Sequence, residues 1–126
     1  MANSPDTAFQ KVLKAAIDTA LPTVSHGANP PHSEDLPYIW YGESEVSTEV
    51  VGHRLALTVR LFSSAQGPHV VKSYMQAIRD ALHLTGASQD GWTLVCIQDA
   101  FSDIVHDIDN QHWQGVMRLE ALASEE

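Results

Sequence analysis

The segment from His106 to His112 holds the side chains best able to do chemistry. It reads His-Asp-Ile-Asp-Asn-Gln-His, and imidazole and carboxylate groups are common ligands of zinc and iron. On one continuous strand His106 and His112 would share a face, but a turn expected at Asp109 and Asn110 would break that register. A calcium loop would need glycine where His112 stands. The pattern favours a structural turn over a metal site, whose ligands would be His106, Asp107, Asp109 and His112.

Nucleophilic chemistry has little support in the sequence. The single cysteine, Cys96, lies in the apolar run from Trp92 to Ile97, where a thiol is expected to be buried and to pack as a small hydrophobe. Ser63 and Ser64 lack the Gly-x-Ser-x-Gly elbow, and glycine-rich phosphate loops and paired cysteines are absent from the sequence. We therefore expect a protein that is not an enzyme and needs no metal or cofactor.

The charge balance excludes several classes of partner. The 126 residues include 7 Lys+Arg and 16 Asp+Glu, which leaves a formal net charge of -9. Such a field repels phosphate backbones, so sequence-specific DNA binding is not expected. The lone cysteine is typical of a reducing compartment. The amino-terminal residues do not form a signal-peptide pattern and no apolar run has membrane-spanning length, so synthesis in the cytoplasm and no membrane partner are expected.

The periodicity predicts a single α+β domain over residues 1–126. One helix has Ser4 as its cap and Pro5 as its first residue and ends near Leu21, and a second, from Pro68, carries an apolar stripe between Val71 and Leu82. Two helices are expected to pack on an antiparallel or mixed sheet of about four to five strands. The predicted strands are Tyr38–Tyr41 extended by an acidic hairpin over Gly42–Gly52, Arg54–Phe62, Trp92 to about Ile108, and Gly115–Ala123.

The strand Arg54–Phe62 and the last strand, Gly115–Ala123, each have one apolar face and one polar face. Leu55, Leu57, Val59 and Leu61 alternate with Arg54, Thr58 and Arg60, and in the last strand Met117, Leu119 and Ala121 alternate with Arg118 and Glu120, so both strands are half-buried. The segment Ser25–Asp35 consists of turn formers and is expected to be an exposed loop. Thr85 and Gly86 are expected to stop the second helix before a turn over Ser88–Gly91.

Two features of the hairpin region could serve binding. Glu43, Glu45 and Glu49 would lie on one side of a protruding hairpin as a negative stripe, for which a plain solvated face is the alternative. Either Tyr38 with Trp40 or Ile39 with Tyr41 must point away from the helices. Most such clusters belong to the core, but exposed aromatic rings would offer a surface to a partner.

The order of these elements resembles the tail-terminator family of tailed phages and gene transfer agents, also called tail-completion or head-tail joining proteins. The resemblance rests on short signatures spread over nearly the whole chain. They are Leu36-Pro37-Tyr38-Ile39 with Gly42-Glu43, the strand from His53 to Val59 ending at Ser63, the helix from Val71 to Leu82, and His106-Asp-Ile-Asp109 followed by Gln114 to Ala121. The chain departs from the family in having Asn110 where glycine is common and in a loop, Ser25–Asp35, rich in proline and histidine. Asparagine tolerates the left-handed conformation, so the turn is kept.

The resemblance implies a structural virion protein at the junction of tail and neck, assembled in the bacterial host cytoplasm. It implies a homo-oligomer, a hexameric ring, that caps the tail tube, stops its polymerisation and joins the head-tail connector or stopper protein, with DNA passing through the lumen. In such a ring we expect Glu43, Glu45 and Glu49 to face the lumen, and Tyr38, Trp40 and Trp113 to contact subunits or partners. The alternatives are another neck protein, such as a head-closure subunit, and a small metal-dependent hydrolase using the His106 to His112 cluster.

Overall fold

Two helices and six strands follow one another in the part of the chain that the structure describes. The computed structural model describes residues 4–27, 37–48, 52–63, 67–83, 85–107 and 112–125. The helices are α1 (Pro5–Ala20) and α2 (His69–Leu82). The strands are β1 (Ser25–Gly27), β2 (Tyr38–Thr48), β3 (His53–Ser63), β4 (Thr85–Gln89), β5 (Trp92–Asp107) and β6 (His112–Glu125). Over these residues, no helix combines the length and the apolar character that a membrane crossing requires.

All six strands form one mixed sheet in the order β1-β2-β3-β6-β5-β4, in which only the β1 to β2 pair is parallel. The α+β class and the two helices are confirmed, but four to five strands was too few. The two strands that were missed, β1 and β4, are the edges of the sheet, where Ser25–Gly27 had been predicted as loop and Thr85 and Gly86 as a helix stop. Edge strands of small polar residues bury one side at most, so they leave no alternating apolar pattern to detect.

Both helices pack on the same face of the sheet, and the core lies between them. β3 supplies Leu55, Leu57, Val59 and Leu61, all without solvent exposure, as the alternation predicted. The remaining large buried side chains come from the helices and the neighbouring strands: Phe9, Leu13, Ile17, Ile39, Val71, Met75, Ile78, Leu82, Leu94, Ile97, Met117 and Leu119. The inward faces predicted for β3 and β6 are therefore confirmed.

The hairpin of β2 and β3 lies within the sheet over the described residues. β3 pairs with β6 along its whole length, from His53 opposite Ala123 to Ser63 opposite Trp113. A protruding arm is therefore not seen in this part of the chain, and the tip at residues 49–51 lies outside the described residues. The physical reason is that β6 runs as far as β3 does, so its backbone groups pair with those of the hairpin strand instead of leaving it free.

β5 contains two irregularities that change which side chains are buried. Its register against β6 shifts between Val95 and Gln98 and again between Asp99 and Phe101. At the first shift Cys96 has a positive φ of 55° and is exposed, whereas Ile97 is fully buried. The prediction of a buried Cys96 is wrong, because a bulge inserts one extra residue and reverses the alternation beyond it.

A hydrogen-bonded group of three side chains attaches the short edge strand β1 to the rest of the fold. Nε2 of His26 lies 2.7 Å from Oδ1 of Asp18 in α1, and its Nδ1 lies 3.0 Å from the Tyr41 hydroxyl in β2. Hydrogen bonds from Lys14 and then His26 lower the pKa of Asp18, while burial raises the pKa of Tyr41. These contacts explain how three residues with little apolar surface can hold their place at the edge of a sheet.

Candidate functional site

The face of the sheet opposite the helices is the main candidate surface, because no described helix covers it. We call it the open face. Its side chains follow from the strand register: Tyr38, Trp40, Glu43 and Glu45 from β2; Arg54, Thr58, Arg60 and Phe62 from β3; Gln114, Val116, Arg118, Glu120 and Leu122 from β6; and Val95, Gln98, Phe101, Asp103 and Val105 from β5.

Large apolar side chains are exposed on the β5 side of this face. Phe101 is 54% exposed and Val105 is 50% exposed. Val95 and Leu122, which lie opposite each other in the β5 to β6 register, are 45% and 40% exposed. Single exposed apolar residues are ordinary, but several on one uncovered sheet face are typical of a contact surface. The sequence did not reveal them, since the bulges in β5 decide their orientation.

On the β2 side, the charges of the open face are paired within the chain. Nε of Arg60 lies 2.5 Å from Oε1 of Glu43. Arg118 donates to both carboxylate oxygens of Glu45, at 3.1 and 3.3 Å, and its Nε lies 3.0 Å from Oε2 of Glu120. The hydrogen bonds from Arg118 lower the pKa of Glu45, and Glu45 and then Glu120 raise the pKa of Arg118. The result is a surface whose charges largely compensate one another.

Glu43 and Glu45, predicted to form a negative stripe, do lie on the same face. Glu43 is matched by Arg60 of the neighbouring strand β3, and Glu45 by Arg118 of β6, two strands away, so the two glutamates do not form an uncompensated acidic stripe. Glu49, the third member, lies outside the described residues. The sequence could place the glutamates but not their partners, because Glu45 and Arg118 meet only through the pairing of β2, β3 and β6.

The three aromatic residues predicted as contacts lie on both faces of the sheet. Tyr38 and Trp40 point away from the helices and are half-buried on the open face, while Ile39 and Tyr41 belong to the core. Trp113 lies on the helix side, where it packs against the core and stacks on His106 with ring centroids 4.4 Å apart. These residues therefore do not form one continuous aromatic surface.

The histidines that could have held a metal are separated. His106 lies opposite Trp113, and His112 lies opposite Asp107, one position further along the hairpin. Neighbouring positions of a strand project to opposite faces, and the ring of His112 accordingly meets Phe62 of the open face, with centroids 5.8 Å apart. Asp109 lies outside the described residues, within which no group of three metal-ligating side chains occurs. The described geometry thus gives the two imidazoles no shared site.

A groove between α2 and β5 is a second candidate surface. It has a volume of about 490 Å³ and is lined by Lys72, Met75, Gln76, Arg79, Ser102, Asp103 and Ile104. Arg79 is held in place by Asp99 at 2.7 Å, by Gln76 at 2.8 Å and by Ser102 at 3.2 Å. The groove joins a helix face to a sheet edge, and no motif in the sequence pointed to it.

Comparison with known proteins gives a family and a fold. The family described as tail completion protein gp17 matches residues 8–124 of this chain. No curated protein matches the chain. A chain of a solved structure, the virion of a native gene transfer agent (GTA) particle, has a TM-score of 0.77 at 15% identity over 96% of this chain and 98% of that one. At this identity the likeness shows a shared fold.

Proposed function

Since this chain belongs to the tail completion protein gp17 family, we propose that it is the tail terminator of a phage-like particle. Membership of this family supports a structural role in the virion tail. In the proposal, copies form a ring, hexameric as the resemblance implies, that caps the tail tube and stops its polymerisation. The other side of the ring joins the head-tail connector or stopper protein, and DNA passes through the lumen.

The observation that carries this proposal is the open face, which has exposed apolar side chains and internally paired charges. Copies with a net charge of -9 repel one another. The electrostatic repulsion between copies is therefore smallest on a surface whose carboxylates are already paired with cations. Three of the seven Lys and Arg residues lie on the open face: Arg54, Arg60 and Arg118. Burying Phe101 and Val105 against another protein would stabilise the assembly further.

Different parts of the chain have different roles in this ring. The β5 side of the open face, with Phe101 and Val105, contacts a neighbouring copy or the tube protein. Tyr38 and Trp40, at the start of β2, make a separate contact with a subunit or partner. Trp113 lies on the helix side, so any contact it makes involves a different surface. A head-to-tail contact that uses two different surfaces generates a closed ring when its rotation closes.

A tube-capping experiment tests the proposed function. Tail-tube protein is polymerised with and without the purified chain, and tube lengths and end-bound density are measured by electron microscopy. We expect shorter tubes with a ring at one end, and about a tenfold weaker capping by Phe101→Asp, which places a charge in an apolar contact. Thr19→Asp, on the exposed side of α1, is the control and is expected to cap like the wild type.

Two other outcomes of that experiment would contradict the proposal. Tubes that grow equally long with the wild-type chain present, and that carry no bound ring, would overturn it. Binding to purified connector without any effect on tubes would instead assign the chain to head closure.

We also propose that Glu43, Glu45 and Glu49 face the lumen, the first two from the β2 side of the open face. The salt bridges of Glu43 and Glu45 keep Arg60 and Arg118 from binding phosphate, so these carboxylates act by compensating cations. Replacing both glutamates with glutamine is expected to leave ring assembly intact and to slow DNA release from particles several-fold, because Arg60 and the side of Arg118 not bound to Glu120 then attract the DNA backbone. The release rate is measured with a DNA-binding dye at low salt.

The control for the lumen proposal is Glu125→Gln, an exposed carboxylate at the end of β6. It removes the same charge from another part of the chain and is expected to release DNA at the wild-type rate. Loss of ring assembly in the Glu43→Gln, Glu45→Gln variant, with unchanged release from the particles that do form, would place these residues in a subunit contact instead.

A further inference from the structure

We propose that the groove between α2 and β5 receives an extended, carboxylate-bearing segment of a second copy of this chain, with Lys72 as the cation that binds the carboxylate. The inference rests on the proposed ring and assigns one of its two contact surfaces. It follows from three independent properties of the groove: an unpaired cation, an apolar floor and an open strand edge.

Lys72 is the unpaired cation. Within the part of the chain that the structure describes, Lys11, Lys14, Arg60, Arg79 and Arg118 all lie within ion-pair distance of a carboxylate of the same chain, and Arg54 also makes an interaction. Lys72, exposed on α2 at the mouth of the groove, has no such partner. In a chain with a net charge of -9, an unmatched lysine favours an acidic partner, which every further copy is.

The groove has an apolar floor and fixed polar walls. Met75, only 4% exposed, and half-buried Ile104 form apolar lining. Arg79 on the wall already has its charge matched by Asp99, whose side chain is 8% exposed. One available cation above an apolar floor suits a peptide that presents a carboxylate beside an apolar side chain. It does not suit a nucleic acid, because each added phosphate would meet the remaining acidic field.

The border of the groove is an open strand edge. β4 pairs with β5 only between Trp92 and Ile97, so the part of β5 from Gln98 to Asp107 has no second neighbour among the described strands. Unpaired strand edges accept extended segments of other chains by backbone hydrogen bonding. The Ile104 amide donates to Oδ1 of Asp103 at 2.8 Å, a local contact that an incoming carbonyl can replace. Of the two cations that line the groove, Arg79 is already bound to Asp99, which leaves Lys72 as the attachment point for a carboxylate.

A second copy is the occupant that these properties favour. A second copy carries exposed strand segments and many carboxylates. The segment that it inserts is a different surface from the groove that receives it. Pairing one surface with a different one is the head-to-tail arrangement that closes into rings. The groove and the open face are different surfaces of the chain, as this arrangement requires.

Zero-length carbodiimide cross-linking of rings assembled on tail tubes tests the inference directly, because it joins a lysine to a carboxylate only when they are in contact. Rings are assembled from a mixture of ordinary and nitrogen-15-labelled copies, so that peptides joining two copies carry mixed labels. We expect mixed-label peptides in which Lys72 is joined to an Asp or Glu. Lys72 joined only to tube protein or connector, or not joined to any carboxylate, would overturn the inference.

Charge reversal gives a second readout. Lys72→Glu is expected to reduce the number of copies bound to tubes about tenfold, since it places like charges at a contact. Lys14→Glu, a reversal at an exposed helical lysine away from the groove that replaces the ion pair with Asp18 by a like-charge pair, is the matched control and is expected to stay within about twofold of the wild type. Circular dichroism establishes that both variants are folded.

The outcomes separate this inference from the proposed function. Wild-type binding by Lys72→Glu would overturn the inference and leave the ring in place. Absence of wild-type rings from tubes would overturn the proposed function, and the inference with it.

Discussion

Replacing Gly52 with alanine is expected to lower the free energy of unfolding by about 3 kcal/mol or more, a large part of the stability of a small domain. Gly52 has φ of +80°, and an added Cβ would lie 2.2 Å from the Ala123 carbonyl oxygen and 3.2 Å from its carbon. Both atoms belong to the backbone of β6, so no side-chain rotation relieves the clash. The hairpin strand or the end of β6 must move, and the pairing of His53 with Ala123 is the first to be lost.

Gly67 provides the matched control for Gly52. It has a similar φ of +88°, but an added Cβ would find only Nδ1 of His69 at 3.6 Å, an ordinary contact. Gly67→Ala should therefore show the conformational cost alone, about 1 kcal/mol. Urea unfolding monitored by circular dichroism measures both variants. Equal midpoints would show that the approach of Gly52 to β6 does not contribute to stability.

Replacing Gly115 is the second change with a large expected effect, because α2 lies directly on this residue. A Cβ at Gly115 would come 2.4 Å from Cγ1 of Val71, 2.7 Å from Sδ of Met75 and 3.5 Å from Cδ1 of Leu61. Met75 can change rotamer, but Val71 is β-branched and stiff, so the helix must shift. We expect Gly115→Ala to lower the free energy of unfolding by about 2 kcal/mol, and Gly115→Val to cost more.

A double-mutant cycle isolates the contact between Gly115 and α2. Val71→Ala alone leaves a cavity and is destabilising, yet in the Gly115→Ala background it makes room for the new methyl group. We expect the combined loss to be smaller than the sum of the single losses by about 1 kcal/mol. Additive losses would mean that Val71 does not limit the approach of α2. Because Met75 lines the groove of Lys72, the same shift should also weaken assembly on tubes.

The ion pairs of the structure determine which regions of this acidic chain carry uncompensated charge. The net charge of -9 is not spread evenly, since Arg60 and Arg118 bind carboxylates on the open face while Lys72 of α2 has no carboxylate partner among the described residues. In the proposed ring, the apolar β5 side of the open face makes the contacts and the compensated β2 side faces the lumen. The balance between these regions, rather than total charge, then decides both subunit contact and the passage of DNA.

The sequence alone determined the features that depend on neighbouring residues. The alternation in β3 and β6, the apolar stripes of α1 and α2 and the absence of catalytic motifs were local patterns, and the succession of short signatures was enough to indicate the family. Alternation along the strand put Tyr38 and Trp40 on one face and Ile39 and Tyr41 on the other, because successive side chains point to opposite faces. Only the position of the helices decided which of the two faces is buried.

The tertiary structure decided what depends on register between distant strands. One bulge in β5 exposes Cys96 and buries Ile97, and no local pattern marks where an extra residue is inserted. The partners of Glu43 and Glu45, the separation of His106 from His112 and the groove beside Lys72 arise from pairing across the sheet. Side-chain periodicity fixes which face a residue occupies, whereas its neighbours on that face are fixed by hydrogen bonds between strands far apart in sequence.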